Sequence, residues 1–349
     1  MKSYSSQIGP STAKNPLLPE RLQEALNGYQ LTQALCTTAQ LGLADLIHNN
    51  GDKNRKELAS QMGADEIILG QFMELLLALG VVEKNKKNHY QLTELGALLR
   101  SDHPNSILGS VRSTALAYPA WGNLAHSVQT GKAAFDQTFQ MSFYEYLAQN
   151  GGDNNDFNQW MEESTRDWIL PSLEIYNFSA FHHFVDIGGS TGRLTAAVLT
   201  RYPNLQATIF DQAHVVMGAK KVLEPAGVSH RCTIMAGDFF ESIPARGDLY
   251  IISRVLLNWD DDHALKILKN CRAAMDDSAR LLIMDFVLPN KDLTVSQLLS
   301  SLHLQVLGGN PMRTEDQYKK LLFLAGFKGF KLIPPRGAIS FMEVRPDQT

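Results

Sequence analysis

One stretch constrains the fold more than any other: residues 184–211, FVDIGGSTGRLTAAVLTRYPNLQATIFD. A buried-strand pattern is followed by a glycine-rich turn, a helical segment and a second strand pattern that ends on Asp211. This order is typical of a nucleotide-binding β-α-β unit, in which glycines let the backbone approach a ligand closely. Glycines occupy positions 188, 189 and 192, and Asp211 is suited to accept hydrogen bonds from two ribose hydroxyls.

The spacing of the glycines indicates which kind of nucleotide is bound. The pattern GxGxxG, counted from Gly188, requires glycine at positions 190 and 193, but this chain has Ser190 and Arg193 there. A dinucleotide places its pyrophosphate on the helix N-terminus, so the departure disfavours NAD. S-adenosylmethionine (SAM) contains an adenosine but no phosphate, and the pattern favours it.

A second acidic position follows the run CTIM, in AGDFFESIP. Asp238 is predicted to accept a hydrogen bond from the adenine amino group, and Phe239 to pack on the ring. An Asp after a strand is more often a helix cap or a turn residue. Because these features follow successive strands in order, we predict a SAM site.

Short β-rich runs alternate with helical segments from residue 181 to the end. This alternation predicts an α/β domain with a parallel sheet covered on both faces. Thr314 and Gln317 predict a capping box, and the last two runs predict a terminal hairpin. The runs are FVDIG, QATIFD, CTIMAGD, DLYIISRVL, ARLLIMDFVL, FKGFKLI and AISFMEV.

The N-terminal part has a helix-turn-helix pattern followed by a hairpin. Residues 19–49 predict two helices broken at Gly42, and a short helix then precedes a turn at Gly63. The next helix contains no lysine or arginine, which disfavours DNA binding and leaves packing against another subunit as the better interpretation. We predict that one face of this helix is apolar and is formed by Ile68, Phe72, Leu75, Leu76 and Leu79.

The predicted organisation has four parts: a disordered leader (1–18), a winged-helix dimerisation domain (19–105), a helical linker that contributes to a substrate pocket (106–180) and the α/β domain (181–349). The N-terminus lacks the apolar region of a secretory signal, so we expect a cytoplasmic protein without membrane association. A net charge of -4 gives no attraction to nucleic acid. The three cysteines form no CxxC pair, so neither disulfides nor a metal site is expected.

From its first helices onward, the chain resembles the SAM-dependent O-methyltransferases that include the plant caffeate and animal hydroxyindole enzymes. The matching motifs are VDIGGSTGR, FDQAHVV, AGDFF, NWDDDHALKILKNC, MRTEDQYKKLLFLAGF, AWGNLAHSVQTGKAAF and MSFYEYLA. The resemblance implies a doubly wound, Rossmann-like SAM domain and a homodimer formed through the N-terminal domain. It also implies cofactor contacts at Gly188, Asp211, Asp238, Phe239 and Ser253.

The segment RVLLNWDDDHALKIL departs from this family at Leu257 and Asn258. Most members carry His-Asp before the tryptophan, and the histidine accepts the proton of the methyl acceptor. Leucine can accept no proton. A positioned base contributes about 10²–10⁴-fold, roughly 3–5 kcal/mol, whereas alignment of the reactants contributes about 7–11 kcal/mol. Loss of the base is therefore expected to slow methyl transfer without preventing it.

VLLNW also resembles the bacterial tailoring enzymes of anthracycline polyketides, which include a 4-O-methyltransferase and a SAM-requiring hydroxylase that transfers no methyl group. This resemblance implies that Asn258 and Tyr144 lie beside an aromatic substrate. His303, in SSLHLQVLGG, is either a substitute base, a substrate hydrogen-bond donor or a packing residue. Arg254 and Arg313 are interpreted as structural ion-pair partners.

Three functions follow as hypotheses. The first is a methyltransferase of secondary metabolism that acts on an aromatic or polyketide-like hydroxyl. The second is a SAM-binding hydroxylase, decarboxylase or cyclase that retains its cofactor, and release of S-adenosylhomocysteine (SAH) separates it from the first. The third is a winged-helix regulator that senses SAM, which the lack of basic residues disfavours.

Overall fold

The computed structural model describes residues 18–333 and 337–347. The predicted leader lies outside these residues, apart from Leu18, where the first helix begins. The described chain divides into two units, one reaching to Asn123 and including Thr138–Glu163, the other comprising Leu124–Gln137 and Ser164 onward. Both units therefore contain parts of the segment 106–180.

Helices dominate the chain up to residue 164. In order, the elements are α1 (Leu18–Gln40), α2 (Leu43–Asn50), α3 (Arg55–Met62), α4 (Glu66–Ala78), β1 (Val82–Lys84), β2 (Tyr90–Leu92), α5 (Glu94–Ala97), α6 (Leu108–Gly122), α7 (Leu124–Thr130), α8 (Ala134–Phe139), α9 (Phe143–Gln149) and α10 (Gly151–Ser164).

The predicted breaks between these elements are confirmed. Gly42 lies between α1 and α2 with a φ of 59°, and Gly63 ends α3 with a φ of 62°. Both are left-handed conformations that glycine adopts without steric cost. The antiparallel pairing of β1 with β2 confirms the hairpin, and Asn88 at its tip also has a positive φ.

The apolar face predicted for α4 coincides only partly with its buried face: Leu76 is buried and Phe72 and Leu79 pack against the core, but the other two members are exposed. Leu69, Met73 and Leu76 are buried, whereas Ile68 is 65% and Leu75 38% exposed. The helix is apolar on almost every side, so helical periodicity alone could not identify which face would pack on α3 and β1. Exposed apolar side chains also line α1, at Leu22, Leu26 and Tyr29.

The second unit is built on a seven-stranded sheet. Its elements are β3 (His183–Ile187), α11 (Arg193–Arg201), β4 (Gln206–Asp211), α12 (Ala213–Val216), α13 (Lys220–Leu223), β5 (Cys232–Ala236), β6 (Leu249–Ser253), α14 (Asp261–Ala274), β7 (Arg280–Asp285), α15 (Val295–Val306), α16 (Glu315–Leu324), β8 (Phe327–Ile333) and β9 (Ser340–Pro346).

The strand order is β5-β4-β3-β6-β7-β9-β8. Strands β3 to β7 pair in parallel, which confirms the doubly wound α/β prediction. The terminal hairpin is also confirmed, and its second strand, β9, lies antiparallel between β7 and β8. A capping box at Thr314 and Gln317 begins α16, as predicted.

Both faces of this sheet are buried, which explains the continuous apolar runs in the sequence. Val185 and Tyr250 belong to a core cluster shared with α14 and α16, whereas Phe184 and Ile251 belong to a cluster shared with α11. Alternate residues of one strand point to opposite faces, so each central strand contributes to both cores.

All three thiols are free; Cys36 and Cys271 are buried and Cys232 is half-buried. No cluster of side chains suited to a metal ion occurs among the described residues. Within 18–333 and 337–347, no helix is both long and apolar enough to cross a bilayer.

Candidate active site

The candidate site lies at the carboxyl edge of the parallel strands. Because the strand order runs from β3 toward β5 on one side and toward β7 on the other, the β3–β6 boundary is a topological switch point, where α/β folds bind ligands. Gly188 follows β3, Asp211 ends β4, Asp238 and Phe239 follow β5, and Ser253 ends β6. The structure thus brings all five predicted cofactor residues to one edge.

Asp211 holds the glycine loop in place. One carboxylate oxygen accepts a hydrogen bond from the Ser190 backbone N–H at 2.9 Å, and the other accepts one from Gln212 at 2.7 Å. The Gly188 N–H donates to the Phe210 carbonyl oxygen at 2.8 Å, which joins the loop to β4. Each oxygen of Asp211 retains a lone pair that can accept a ribose hydroxyl.

A second carboxyl supports the loop from below, and the sequence analysis missed it. Asp186 is buried on β3, and its Oδ2 accepts a hydrogen bond from the Thr195 hydroxyl at 2.6 Å. Burial raises the pKa of Asp186 to about 6. The hydrogen bond from Thr195 lowers this pKa, and the charge of Asp211 raises it further. A side chain at Gly189 would clash with this carboxyl, at 2.8 Å from its Cγ. The available signal was an acid inside the apolar run FVDIG.

Asp238 and Phe239 form the turn after β5. The Phe240 backbone N–H donates to Asp238 Oδ1 at 2.8 Å, so the ordinary turn role of this aspartate is present. The Phe239 carbonyl oxygen accepts a hydrogen bond from Asn270 on α14 at 2.9 Å. Its half-buried ring meets Trp259 edge to face at 6.2 Å between centroids. The turn occupies one oxygen of Asp238 and leaves the other for a ligand.

Ser253 and Arg254 carry polar atoms that the described part of the chain leaves unsatisfied. Ser253 Oγ and Arg254 Nε are buried without a hydrogen-bond partner there. The Arg254 guanidinium donates to the hydroxyls of Ser164 and Thr165 at 2.6 and 2.7 Å. Burial lowers the pKa of Arg254 to about 10.

No carboxylate lies within 4.0 Å of the Arg254 nitrogens among the described ion pairs, so the predicted partner is not in direct contact, although the charge of Asp285 raises the pKa of Arg254. A buried cation and a buried hydroxyl with unused hydrogen-bonding capacity fit the charged methionyl end of SAM. The lone pairs of Asp211 fit its ribose. The signal missed in the sequence was a charged residue at the end of an apolar strand, in IISRVLL.

Leu257 and Asn258 lie on a 3₁₀ turn, Leu256–Asn258, directly after this pair. Leu257 is buried and offers no polar atom. Asn258 is exposed, and its Nδ2 donates to the Arg254 carbonyl oxygen at 3.2 Å. The side-chain carbonyl oxygen of Asn258 therefore remains able to accept a hydrogen bond from a ligand.

Asp285 is the buried acid next to this turn. Its Oδ1 accepts a hydrogen bond from the Phe286 N–H at 2.8 Å, which is a loop-capping role. Burial raises its pKa to about 6, while Tyr318, Arg313 and the Leu257 backbone act in the opposite direction. These groups lie near the carboxyl, although no described residue makes a hydrogen bond of ordinary length to Oδ2.

The other two predicted site residues lie on separate helices. His303 is half-buried on α15, and burial lowers its pKa, so the imidazole is neutral at neutral pH. Tyr144 belongs to the first unit, on α9, where it is 61% exposed and meets Phe143 and Phe157 edge to face. The roles of both residues stay predictions.

Two family models together match most of the chain. Residues 121–328 match the model of the O-methyltransferase domain, and residues 23–102 match that of the O-methyltransferase dimerisation domain. The phenazine O-methyltransferase PhzM of Lysobacter antibioticus is 36% identical over 93% of this chain and 95% of that protein. The crystal structure of LaPhzM superposes with a TM-score of 0.85, at 36% identity over 94% of this chain and 99% of that one.

A relative that is named for a different activity is also similar. The aclacinomycin 10-hydroxylase RdmB of Streptomyces purpurascens is 31% identical over 94% of this chain and 90% of that protein. These matches agree with the resemblances found in the sequence, and they favour an enzyme over a regulator.

Proposed function

The chain belongs to the O-methyltransferase family and is a SAM-dependent methyltransferase, and from this premise we propose that it methylates a hydroxyl group on an aromatic or polyketide-like small molecule. The phenazine acceptor of the Lysobacter relative makes fused aromatic phenols the first compounds to test. The protein would serve secondary metabolism in the cytoplasm.

One observation carries this proposal. The turn that carries Asn258 begins three residues after Ser253, so the side-chain amide of Asn258 and a predicted cofactor contact both lie at the end of strand β6. SAM, when bound, supplies a methyl group on a positively charged sulfur. Asp211, Asp238 and Ser253 would bind its polar groups, and Arg254 Nε would donate to its carboxylate.

The acceptor is positioned rather than strongly activated in this proposal. Asn258 would donate the second N–H of its side-chain amide to the oxygen of the acceptor and so orient it. Neutral His303 would accept the hydroxyl proton. Since burial weakens His303 as a base, most of the rate would come from alignment of the reactants.

The role of His303 predicts a pH dependence. Its pKa lies below the ordinary value of 6.5, and only the neutral imidazole can accept a proton. Activity (kcat/KM) should therefore fall as the pH decreases through this pKa, and His303→Ala should flatten that acid limb and lower the rate roughly 10²-fold. His182→Ala, a histidine exposed at the opposite edge of the sheet, should keep the parent profile. A His303→Ala profile parallel to that of the parent would assign His303 to packing and leave Asp285 as the titrating group.

The function is tested by incubating the purified protein with methyl-labelled SAM and 1-hydroxyphenazine, then with an extract of the source organism. Mass spectrometry follows label in the organic fraction and SAH in the aqueous fraction. Labelled product with an equal amount of SAH supports the proposal. SAH without labelled acceptor in either mixture would contradict the proposed substrate class.

The alternative is a SAM-binding hydroxylase that transfers no methyl group. Two observations favour it as the second candidate: Leu257 in place of a base, and the similarity to the hydroxylase RdmB. A metabolite that changes only when SAM is present, without label transfer or SAH, would establish this alternative.

The dimerisation domain supports a homodimer, which we propose forms through the exposed apolar faces of α1 and α4. Helix α4 contains no lysine or arginine, the residues that nucleic acid would require. Light scattering should give the mass of a dimer, and Leu26→Asp on α1 should shift it toward that of a monomer. A parent protein of monomer mass at micromolar concentration would contradict this interface.

A further inference from the structure

We propose that Arg313 is a positioning residue that holds the Asn258 turn in register with His303 on α15. This inference rests on the proposed function, because it assigns a task to Arg313 in presenting these two side chains to the acceptor. From the sequence, Arg313 is predicted only as a structural ion-pair partner. The structure gives it that ion pair, with Asp261 at 2.9 Å, and two further contacts.

The two further contacts bracket Asn258. Arg313 donates from one terminal nitrogen to the Leu256 carbonyl oxygen at 2.7 Å and from the other to the Trp259 carbonyl oxygen at 2.6 Å. The side chain is 5% exposed, so these bonds form away from water. One rigid guanidinium therefore fixes the backbone on both sides of Asn258.

The segment that carries Arg313 also binds α15 on both sides of His303. The Met312 N–H donates to the Ser301 hydroxyl oxygen at 3.0 Å, and the Gly309 N–H donates to the Leu304 carbonyl oxygen at 2.8 Å. Residues 309–313 thus connect the helix with His303 to the turn with Asn258.

The loop after β7 fixes the same segment from another side. The Leu288 N–H donates to the Arg313 carbonyl oxygen at 3.0 Å, and the Glu315 N–H donates to the Leu288 carbonyl oxygen at 3.2 Å. The backbone of Arg313 is held independently of its side chain. Replacing the side chain should therefore move the turn rather than the segment.

Arg313→Lys tests this role. A lysine ammonium keeps the charge, but it is a single point that cannot satisfy both carbonyls and Asp261 in the planar arrangement of a guanidinium. We expect kcat for 1-hydroxyphenazine to fall roughly 10–100-fold, because a small displacement of positioning groups has effects of this size. Since Gly188, Asp211 and Ser253 are untouched, the Kd for SAM should change less than about twofold.

Arg231→Lys is the matched control. Like Arg313, Arg231 donates to backbone carbonyls, those of Leu199, Tyr202 and Leu205, but it precedes β5 at the amino edge of the sheet. Its substitution should lower the thermal midpoint to a similar extent and leave kcat unchanged. Equal decreases of kcat in the two variants would reduce Arg313 to a stability role and overturn the proposal.

A double-mutant cycle shows whether Arg313 acts through Asn258. If it does, Arg313→Lys should lower kcat much less in an Asn258→Ala background than in the parent. Independent, multiplying effects would contradict the proposal. If Arg313→Lys fails to fold, Asp261→Ala is used in its place, because Asp261 is exposed and its loss leaves Arg313 Nε without its ion-pair partner. In that variant kcat should fall about threefold.

A fluorescence measurement separates this inference from the proposed function. If the parent protein does not methylate the acceptor, the emission of Trp259, obtained as the difference from Trp259→Phe, still reports the position of the turn. Arg313→Lys should shift this emission and Arg231→Lys should not. An unchanged Trp259 emission would overturn the positioning role whatever reaction the protein catalyses.

Discussion

Asp211→Ala should weaken SAM binding roughly 100-fold or more. The carboxylate at the end of β4 can accept two ribose hydroxyls while it holds the glycine loop through the Ser190 N–H at 2.9 Å. Hydrogen bonds to a charged acceptor contribute about 1.5–3 kcal/mol each, and every 1.4 kcal/mol is a factor of about ten in affinity. The same change should weaken SAH binding equally, since both ligands carry the ribose. Isothermal titration calorimetry measures both constants.

Asp248→Ala is the control for this prediction. Asp248 also accepts two backbone N–H groups, from His182 at 2.7 Å and His183 at 2.9 Å, but at the amino end of β3. Asp248→Ala should lower the free energy of unfolding about as much as Asp211→Ala does and leave the Kd for SAM unchanged. If Asp211→Ala retained the parent affinity, the ribose assignment would be wrong and Asp211 would serve only the loop.

Gly188→Ala should destabilise the protein and impair SAM binding together. Gly188 has a φ of 69°, and a Cβ there would lie 2.6 Å from Val255 Cγ2. Val255 is buried and β-branched, so it cannot rotate away without disturbing the turn that follows. We expect a decrease in the free energy of unfolding of about 2–5 kcal/mol, from left-handed strain plus overpacking, with at least a tenfold loss of SAM affinity.

Gly227→Ala is the control that separates left-handed backbone strain from the steric clash with Val255. Gly227 has a nearly identical φ of 71°, but no atom lies within 4 Å of its added Cβ. It should lose only the left-handed strain, about 1–2 kcal/mol, and bind SAM normally. Urea denaturation gives the stabilities. Equal losses in the two variants would mean that the loop relaxes around the new methyl group.

The site could be predicted from the sequence where chemistry and local pattern coincide. Gly188, Asp211 and Asp238 each follow or end a short apolar run, and parallel strands bring their carboxyl ends to one edge. The order of the runs therefore predicted their proximity without any knowledge of packing. Ser253 was predicted only through the family resemblance. Leu257 could likewise be recognised as lacking a proton acceptor from its residue type alone.

Long-range partners could not be predicted in this way. Arg254 and Arg313 were both interpreted as ion-pair partners, yet Arg254 donates to two hydroxyls 89 and 90 residues earlier in the chain. Arg313 reaches carbonyls 54 and 57 residues away. Backbone carbonyls are identical in every residue, so no sequence pattern marks those that an arginine will bind.

The sequence by itself determined the β-α-β unit, the helix breaks at Gly42 and Gly63 and the hairpin that follows, because each depends on side chains close together in the chain. The tertiary structure decided which face of α4 is buried, the place of β9 between β7 and β8 and the link from Arg313 to the turn with Asn258. These features depend on which surfaces and hydrogen-bonding groups meet when distant segments pack, and only the folded chain brings those groups within reach of one another.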